Sequence, residues 1–469
     1  MASLSQGMSI CVQNQGGQHR KGRTLLKRVC GAAICLLVLT SWVQAQPLDN
    51  LDAKAKRFVD FMSQGQCEQA EAMLDATMKR AMPAQKIEEV WKGLLAQAGP
   101  YKTQLRTRRE SIQGYEIVFV TCQFVKGSLD VKVVFDKKGL VSGLWVVPAE
   151  DTRPWKAPPY VDKGKFVDKD VTIGRGEWQL PGTISLPKGV GPFPGLVLVH
   201  GSGPQDRDET LGPNKPFKDL AWGLATSGIA VLRYEKRTKE HGGKMQSVLS
   251  KLTVMEESVI DARLAVELLR EQPEVAQDRV CLLGHSLGGM LAPRIAQGQV
   301  GVHGIIILAG TTRKLEDVML DQIQYIANVD GKVSKEEQAK IDAVSAEVEK
   351  VKKLTPADRG KARILGVNSA YWLDLNRYDP VALAKNIKKP ILVFQGQRDY
   401  QVTMEDLKGW QGVKASRPGV SIKVYPTLNH IFAPGKGKCT PQEYSNPGHV
   451  AQEVVDDIAA WVEDVTKTP

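Results

Sequence analysis

The chain has 469 residues, 42% of them hydrophobic and 25% charged, which suits a soluble globular protein of more than one domain and argues against a disordered or fibrous one. The formal net charge of +11 falls to about +6 once Arg20, Lys21, Arg23, Lys27 and Arg28 of the acid-free segment 1–45 are set aside. What remains is scattered without a basic block, so nucleic-acid binding is not indicated.

Residues 1–45 read as a signal peptide. Bases at 20–28 precede an apolar run, Val29 to Val43, that is too short for a permanent membrane anchor. Val43-Gln44-Ala45 offers the small residues a signal peptidase reads, which places cleavage after Ala45. Met8 is an alternative start, and neither Cys30 nor Cys35 follows a lipoprotein pattern. The mature protein is then expected to be periplasmic or secreted, with no stable membrane span; an uncleaved anchor is the alternative. Of the seven cysteines, Cys67, Cys122, Cys281 and Cys439 lie beyond this segment, without metal-ligand spacing. Cys67 and Cys122 fall in one region, where an oxidising compartment would let them pair.

Residues 47–148 form a small α+β domain. Leu51–Ser63, Gln66–Met78 and Ile87–Gln97 carry helical spacing, and from Tyr115 the pattern turns to strands at 117–120, 131–135 and 140–147. It contains no histidine and only scattered acids, so a catalytic role is not expected. A proline-rich linker, 149–165, leads to residues 166–469, where strands and helices alternate. Gly195–Val199, Ile229–Arg233, Arg279–Leu283, Gly304–Leu308 and Pro390–Gly396 are apolar enough to be buried on both faces, and Val254–Leu269 reads as one long helix. This predicts a doubly wound, mostly parallel sheet. At about 312–387 the alternation is interrupted by helices, one opened by Ser334 and Glu337 at capping-box spacing. The block reads as a helical cap whose Tyr371, Trp372 and Tyr378 either line a substrate pocket or fill the cap core.

The chemistry concentrates at Gly284-His285-Ser286-Leu287-Gly288, between a strand and a helix. Strand, G-x-S-x-G and helix in that order make a nucleophile elbow, which lifts a serine hydroxyl above the sheet. A serine needs a base, and the base an orienting acid. Asp399 and His430 each follow a later strand, in the required order, whereas His303, His449 and His285 are worse placed. The expected triad is Ser286, Asp399 and His430. The expected oxyanion-hole donors are the N–H of Leu287 and one from His200-Gly201-Ser202-Gly203-Pro204, with Ser202 preferred over Gly201. No metal or organic cofactor is implied.

The run His200–Pro204 continues to Arg207-Asp208-Glu209-Thr210, followed by Asn214-Lys215-Pro216-Phe217 and Leu232-Arg233-Tyr234. From about residue 165 onward these stretches resemble α/β-hydrolases of the serine-aminopeptidase and carboxylesterase group. Residues 47–148 resemble the small domain of uncharacterised role that precedes a hydrolase in exported bacterial proteins. The resemblance implies hydrolysis of small-molecule, short-acyl esters through the same triad. The alternatives are a peptidase, with Asp374 or Asp379 holding a substrate amino group, and an envelope-binding module with a vestigial site.

Overall fold

In the computed structural model, which describes residues 50–112, 115–149, 154–245, 247–299 and 301–467, the chain divides into two units near residue 150. The signal segment expected at 1–45 lies outside the described residues. In the first unit the strands Tyr101–Ile112, Tyr115–Phe124, Gly127–Phe135 and Val141–Pro148 form an antiparallel meander in sequence order. Helices Leu51–Ser63, Cys67–Ala72, Ala76–Ala81 and Ala84–Ala98 precede it and share its core, around Phe58, Trp91, Val120 and Phe124. The helix expected at 66–78 is broken in two because Asp75 turns its carboxylate onto the N–H groups of Thr77 and Met78 and caps a new start. Cys67 and Cys122 are both buried here as free thiols, so the pairing an oxidising compartment would allow is not made.

The main sheet of the second unit has eight strands among the described residues: β1 Phe166–Ile173, β2 Leu180–Pro187, β3 Phe193–Val199, β4 Ala230–Tyr234, β5 Val275–His285, β6 Ile305–Leu308, β7 Ile391–Gly396 and β8 Val420–Tyr425. They lie in the order β1-β2-β4-β3-β5-β6-β7-β8. The pairs β1–β2 and β2–β4 are antiparallel and all others parallel. The unit's α-helices longer than one turn are α1 Pro216–Thr226, α2 Ile260–Arg270, α3 Leu287–Ala296, α4 Leu315–Ala327, α5 Lys335–Lys352, α6 Ser369–Asn376, α7 Pro380–Asn386, α8 Met404–Ser416 and α9 Gln452–Thr466. One core joins the sheet to α2, α3, α8 and the cap; a second joins it to α1 and α9. Covering both faces is what lets the central strands be uniformly apolar.

The expected long helix at 254–269 is instead a π turn, Met255–Val259, followed by α2. The cap contains α4 to α7 and a small hairpin, Arg363–Ile364 with Val367–Asn368. Its helix α5 opens with the expected capping box: Ser334 Oγ accepts from Glu337 N, and Glu337 Oε2 from Ser334 N.

Candidate active site

Strand β5 delivers Ser286 on a turn with φ 54° and ψ −116°, a left-handed conformation a non-glycine residue adopts at a cost of order 1–3 kcal/mol. The turn can close because Gly288 lacks a side chain: a Cβ there would stand 2.3 Å from Val199 O and 2.6 Å from His200 O. Ser286 N–H donates to Leu308 O at 2.9 Å, which ties the turn to β6. Leu287 opens α3, so its N–H belongs to the first turn, where a helix offers no acceptor.

Asp399 follows β7. Its Oδ1 accepts from the N–H groups of Gln401 and Val402 at 2.7 and 3.0 Å, and its Oδ2 faces His430 Nδ1 at 2.7 Å. The two backbone donors orient the carboxylate before it meets the imidazole. His430 follows β8 in a loop that Asn429 stabilises by accepting from the N–H groups of Ile431 and Ala433. Ser286, His430, Gly201 and Ser202 line one small cleft, a cavity of about 50 Å³.

A larger cavity, about 380 Å³, lies between α4 and the Asp399 loop, with Tyr325 and Tyr400 stacked at 4.9 Å in its wall. None of the expected triad or oxyanion residues lines it; Ser286 and His430 line the smaller cleft.

Several expected positions need correction. Gly201 N–H donates to Glu209 Oε1 at 2.6 Å and is spent there, which leaves Ser202 as the loop's candidate oxyanion donor. Tyr371, Trp372 and Tyr378 are buried in the core that the cap shares with the sheet, and none lines the cleft. Their polar atoms are committed to Glu257 Oε2, Ile364 O and Met290 O. Asp374 pairs with Arg294, and Asp379 caps α7 through the N–H groups of Val381 and Ala382, so neither is available to an amino group.

Two residues the sequence reading did not place in the site stand at its centre. Glu209, buried with a φ of 51°, puts one oxygen on Gly201 N and the other 2.8 Å from His285 Nδ1. His285 Nε2 lies 2.9 Å from His430 O, and the two rings are 4.7 Å apart. Both His285 nitrogens thus face acceptors, and only an imidazolium donates from both. Burial opposes that charge, but Glu209 overcomes it and holds the His285 pKa above its ordinary value. Burial likewise opposes charge on Glu209; the His285 imidazole, followed by His200 and Gly201 N–H, outweighs it and leaves that carboxyl below its ordinary value. His200, against Phe217 and Tyr234, is pushed down to about 4 by burial and stays neutral near pH 7. Asp208, paired with Lys215 and Arg233, pins the same loop to β4.

An eight-stranded sheet in this order, with a serine on the elbow after β5, an acid after β7 and a histidine after β8, defines an α/β-hydrolase. A family model described as serine aminopeptidase, S33, matches residues 214–433, and one described as a protein of unknown function, DUF3887, matches 55–144. Esterase EstD of Thermotoga maritima is 40% identical over 413 residues, covering 88% of this chain and 95% of that protein. Among solved structures, an esterase of Pyrococcus furiosus matches 67% of this chain and 97% of its own, at 17% identity and a TM-score of 0.41. An acylaminoacyl peptidase of Pyrococcus horikoshii matches 78% of this chain and 57% of its own, at 14% identity and a TM-score of 0.45. The chain belongs to the α/β-hydrolase serine esterases, in the family of the Thermotoga protein.

Proposed function

We propose that the protein is an exported serine carboxylesterase that cleaves short-chain acyl esters through an acyl-enzyme on Ser286. The observation that carries this reading is the convergence of Ser286 and the Asp399-oriented His430 on one small cleft. His430 takes the hydroxyl proton as Ser286 attacks the ester carbonyl, and Asp399 stabilises the imidazolium that forms. The negative charge on the tetrahedral intermediate meets the N–H groups of Leu287 and Ser202, donors of a kind worth about 2.7–4 kcal/mol each. His430 then protonates the departing alkoxide and activates the water that releases the acid.

A cavity of about 50 Å³ has room for a few water molecules, at ~10–15 Å³ each, which favours a short acyl group. Asp374 and Asp379 are otherwise engaged, and Glu209, the one acid among the described residues lining the cleft, is held by Gly201 and His285, so no carboxylate there is left for a substrate amino group. The basic and apolar pattern of residues 20–43 supports export.

The test is hydrolysis of p-nitrophenyl esters from acetate to dodecanoate, with fluorophosphonate labelling of the intact protein. Turnover should peak at short chains, the label should sit on Ser286, and Ser286→Ala should lose roughly 10⁵–10⁶ in kcat. Residual activity of Ser286→Ala within tenfold of wild type sinks the mechanism, and absence of labelling revives a binding role. N-terminal sequencing of periplasmic protein should begin at Gln46; an intact N-terminus in the membrane fraction overturns cleavage.

A further inference from the structure

The Gly201–Ser202 peptide is gripped from a direction the catalytic steps do not use. While Glu209 holds the Gly201 N–H, Lys236 Nζ donates to the Gly201 carbonyl at 2.8 Å. Lys236 is only 2% exposed and lies two residues past the end of β4, with its own N–H on Gln205 O at 3.0 Å. An ammonium so far from water requires a counter-charge, and Glu257 supplies one at 3.4 Å. Glu257 comes from the π turn Met255–Val259, a distortion frequent at functional sites. Its Oε1 also accepts from Thr238 Oγ1 at 3.3 Å, and its Oε2 from the hydroxyl of Tyr371 on cap helix α6 at 2.7 Å.

The stereochemistry of the peptide gives this chain of contacts a meaning. In a trans peptide the C=O and the following N–H point in opposite directions. Fixing the Gly201 carbonyl against Lys236 therefore fixes the direction of the Ser202 N–H, turned away from the lysine. A cation on the carbonyl also polarises the amide and strengthens that N–H as a donor.

We infer that Tyr371, Glu257 and Lys236 form a buried relay from the cap that sets the Ser202 N–H at its oxyanion-hole angle, and that Lys236 and Tyr371 are positioning residues for ester hydrolysis. The relay rests on the acyl-enzyme reading of Ser286. It gives the cap a part in catalysis apart from the pocket: a shift of α6 is transmitted to the donor through two buried charges.

The experiment compares full-length Lys236→Met and Tyr371→Phe with wild type. It measures kcat and KM for p-nitrophenyl acetate and inhibition by a trifluoromethyl ketone, which mimics the tetrahedral intermediate. The expected result is a kcat loss of about tenfold or more for Lys236→Met and about threefold for Tyr371→Phe, with KM within twofold and ketone affinity falling in step with kcat. A merely structural role would lower thermal stability without coupling kcat to ketone affinity. A folded Lys236→Met with kcat and ketone affinity within twofold of wild type overturns the relay. Where Lys236→Met does not fold, Tyr371→Phe, which loses one hydroxyl, decides on the same criterion. Ser286→Ala separates the two levels. Activity surviving in it removes the acyl-enzyme reading and the relay together; an inactive Ser286→Ala beside unaltered Lys236 and Tyr371 variants removes the relay alone.

Discussion

Glu209 works on both sides of Ser286, holding the Gly201–Ser202 loop through Gly201 N–H and the His430 loop through His285. The pair has a definite pH signature. Glu209 sits below its ordinary value of 4.5, so its contribution is present above that pH and is lost as pH falls through the lowered value. His285 sits above its ordinary 6.5, so its contribution is complete below that pH and is lost as pH rises through the raised value. The two overlap fully between about 4.5 and 6.5, and the alkaline side erodes at up to ~1.4 kcal/mol per pH unit. In Glu209→Gln the amide oxygen still accepts from Gly201 and its nitrogen can face a neutral His285, so that erosion should vanish. Melting temperatures from pH 6 to 9 should converge between the two proteins; a gap that stays constant over this range rules out the imidazolium. At this scale the places of Ser286, Asp399 and His430 were legible because an apolar run announces the strand before each of the first two, and the alternating β-rich segment Val420–Tyr425 the strand before the third. Glu209, Lys236 and Glu257 were not, because what marks them is burial against partners distant in the chain, Glu209 against Gly201 and His285 and Lys236 against Gly201 and Glu257, and single-chain patterning carries no such pairing.

The elbow shows how an element can be fixed by what it lacks. At Gly288 the atoms a Cβ would meet are backbone carbonyl oxygens of Val199 and His200, which have no rotamer to change. Gly288→Ala should therefore cost about 3 kcal/mol or more in urea unfolding and push the loop that begins at His200 outward. A loss under 1 kcal/mol with activity intact would show that the turn has slack. An element with strong periodicity, such as Leu51–Ser63, has the limits its sequence suggests. One with mixed signals does not. Strand Tyr101–Ile112 escaped notice because its Arg, Thr and Gln side chains suit a sheet edge and leave no apolar alternation. The π turn at 255–259 escaped because one extra residue per turn barely disturbs helical spacing. In α5 the apolar stripe Ile341, Val344, Val348 and Val351 is only half used: Val348 and Val351 are buried, while Ile341 and Val344 stay partly exposed.

Each unit of the molecule buries its own core, the first around Phe58 and Val120, the second on both faces of the eight-stranded sheet. Residues 154–469 alone should therefore keep p-nitrophenyl acetate hydrolysis within about threefold of the full chain, and calorimetry of the full chain should resolve two transitions. Loss of all activity on truncation would make the first unit part of the catalytic machinery. The cap has a further consequence, for the order in which the chain assembles. Strands β6 and β7 lie side by side, with Ile305 opposite Ile391, yet the whole cap must be spanned before they meet. With closure entropy growing as the logarithm of length, that span costs only about 1.5 kcal/mol more than a fifteen-residue crossover would. The pairing is nonetheless among the most non-local in the sheet, and non-local pairings are reached late. Until they form, the apolar edge of β6 is open to other chains, so folding yield should fall with protein concentration well before equilibrium stability is touched.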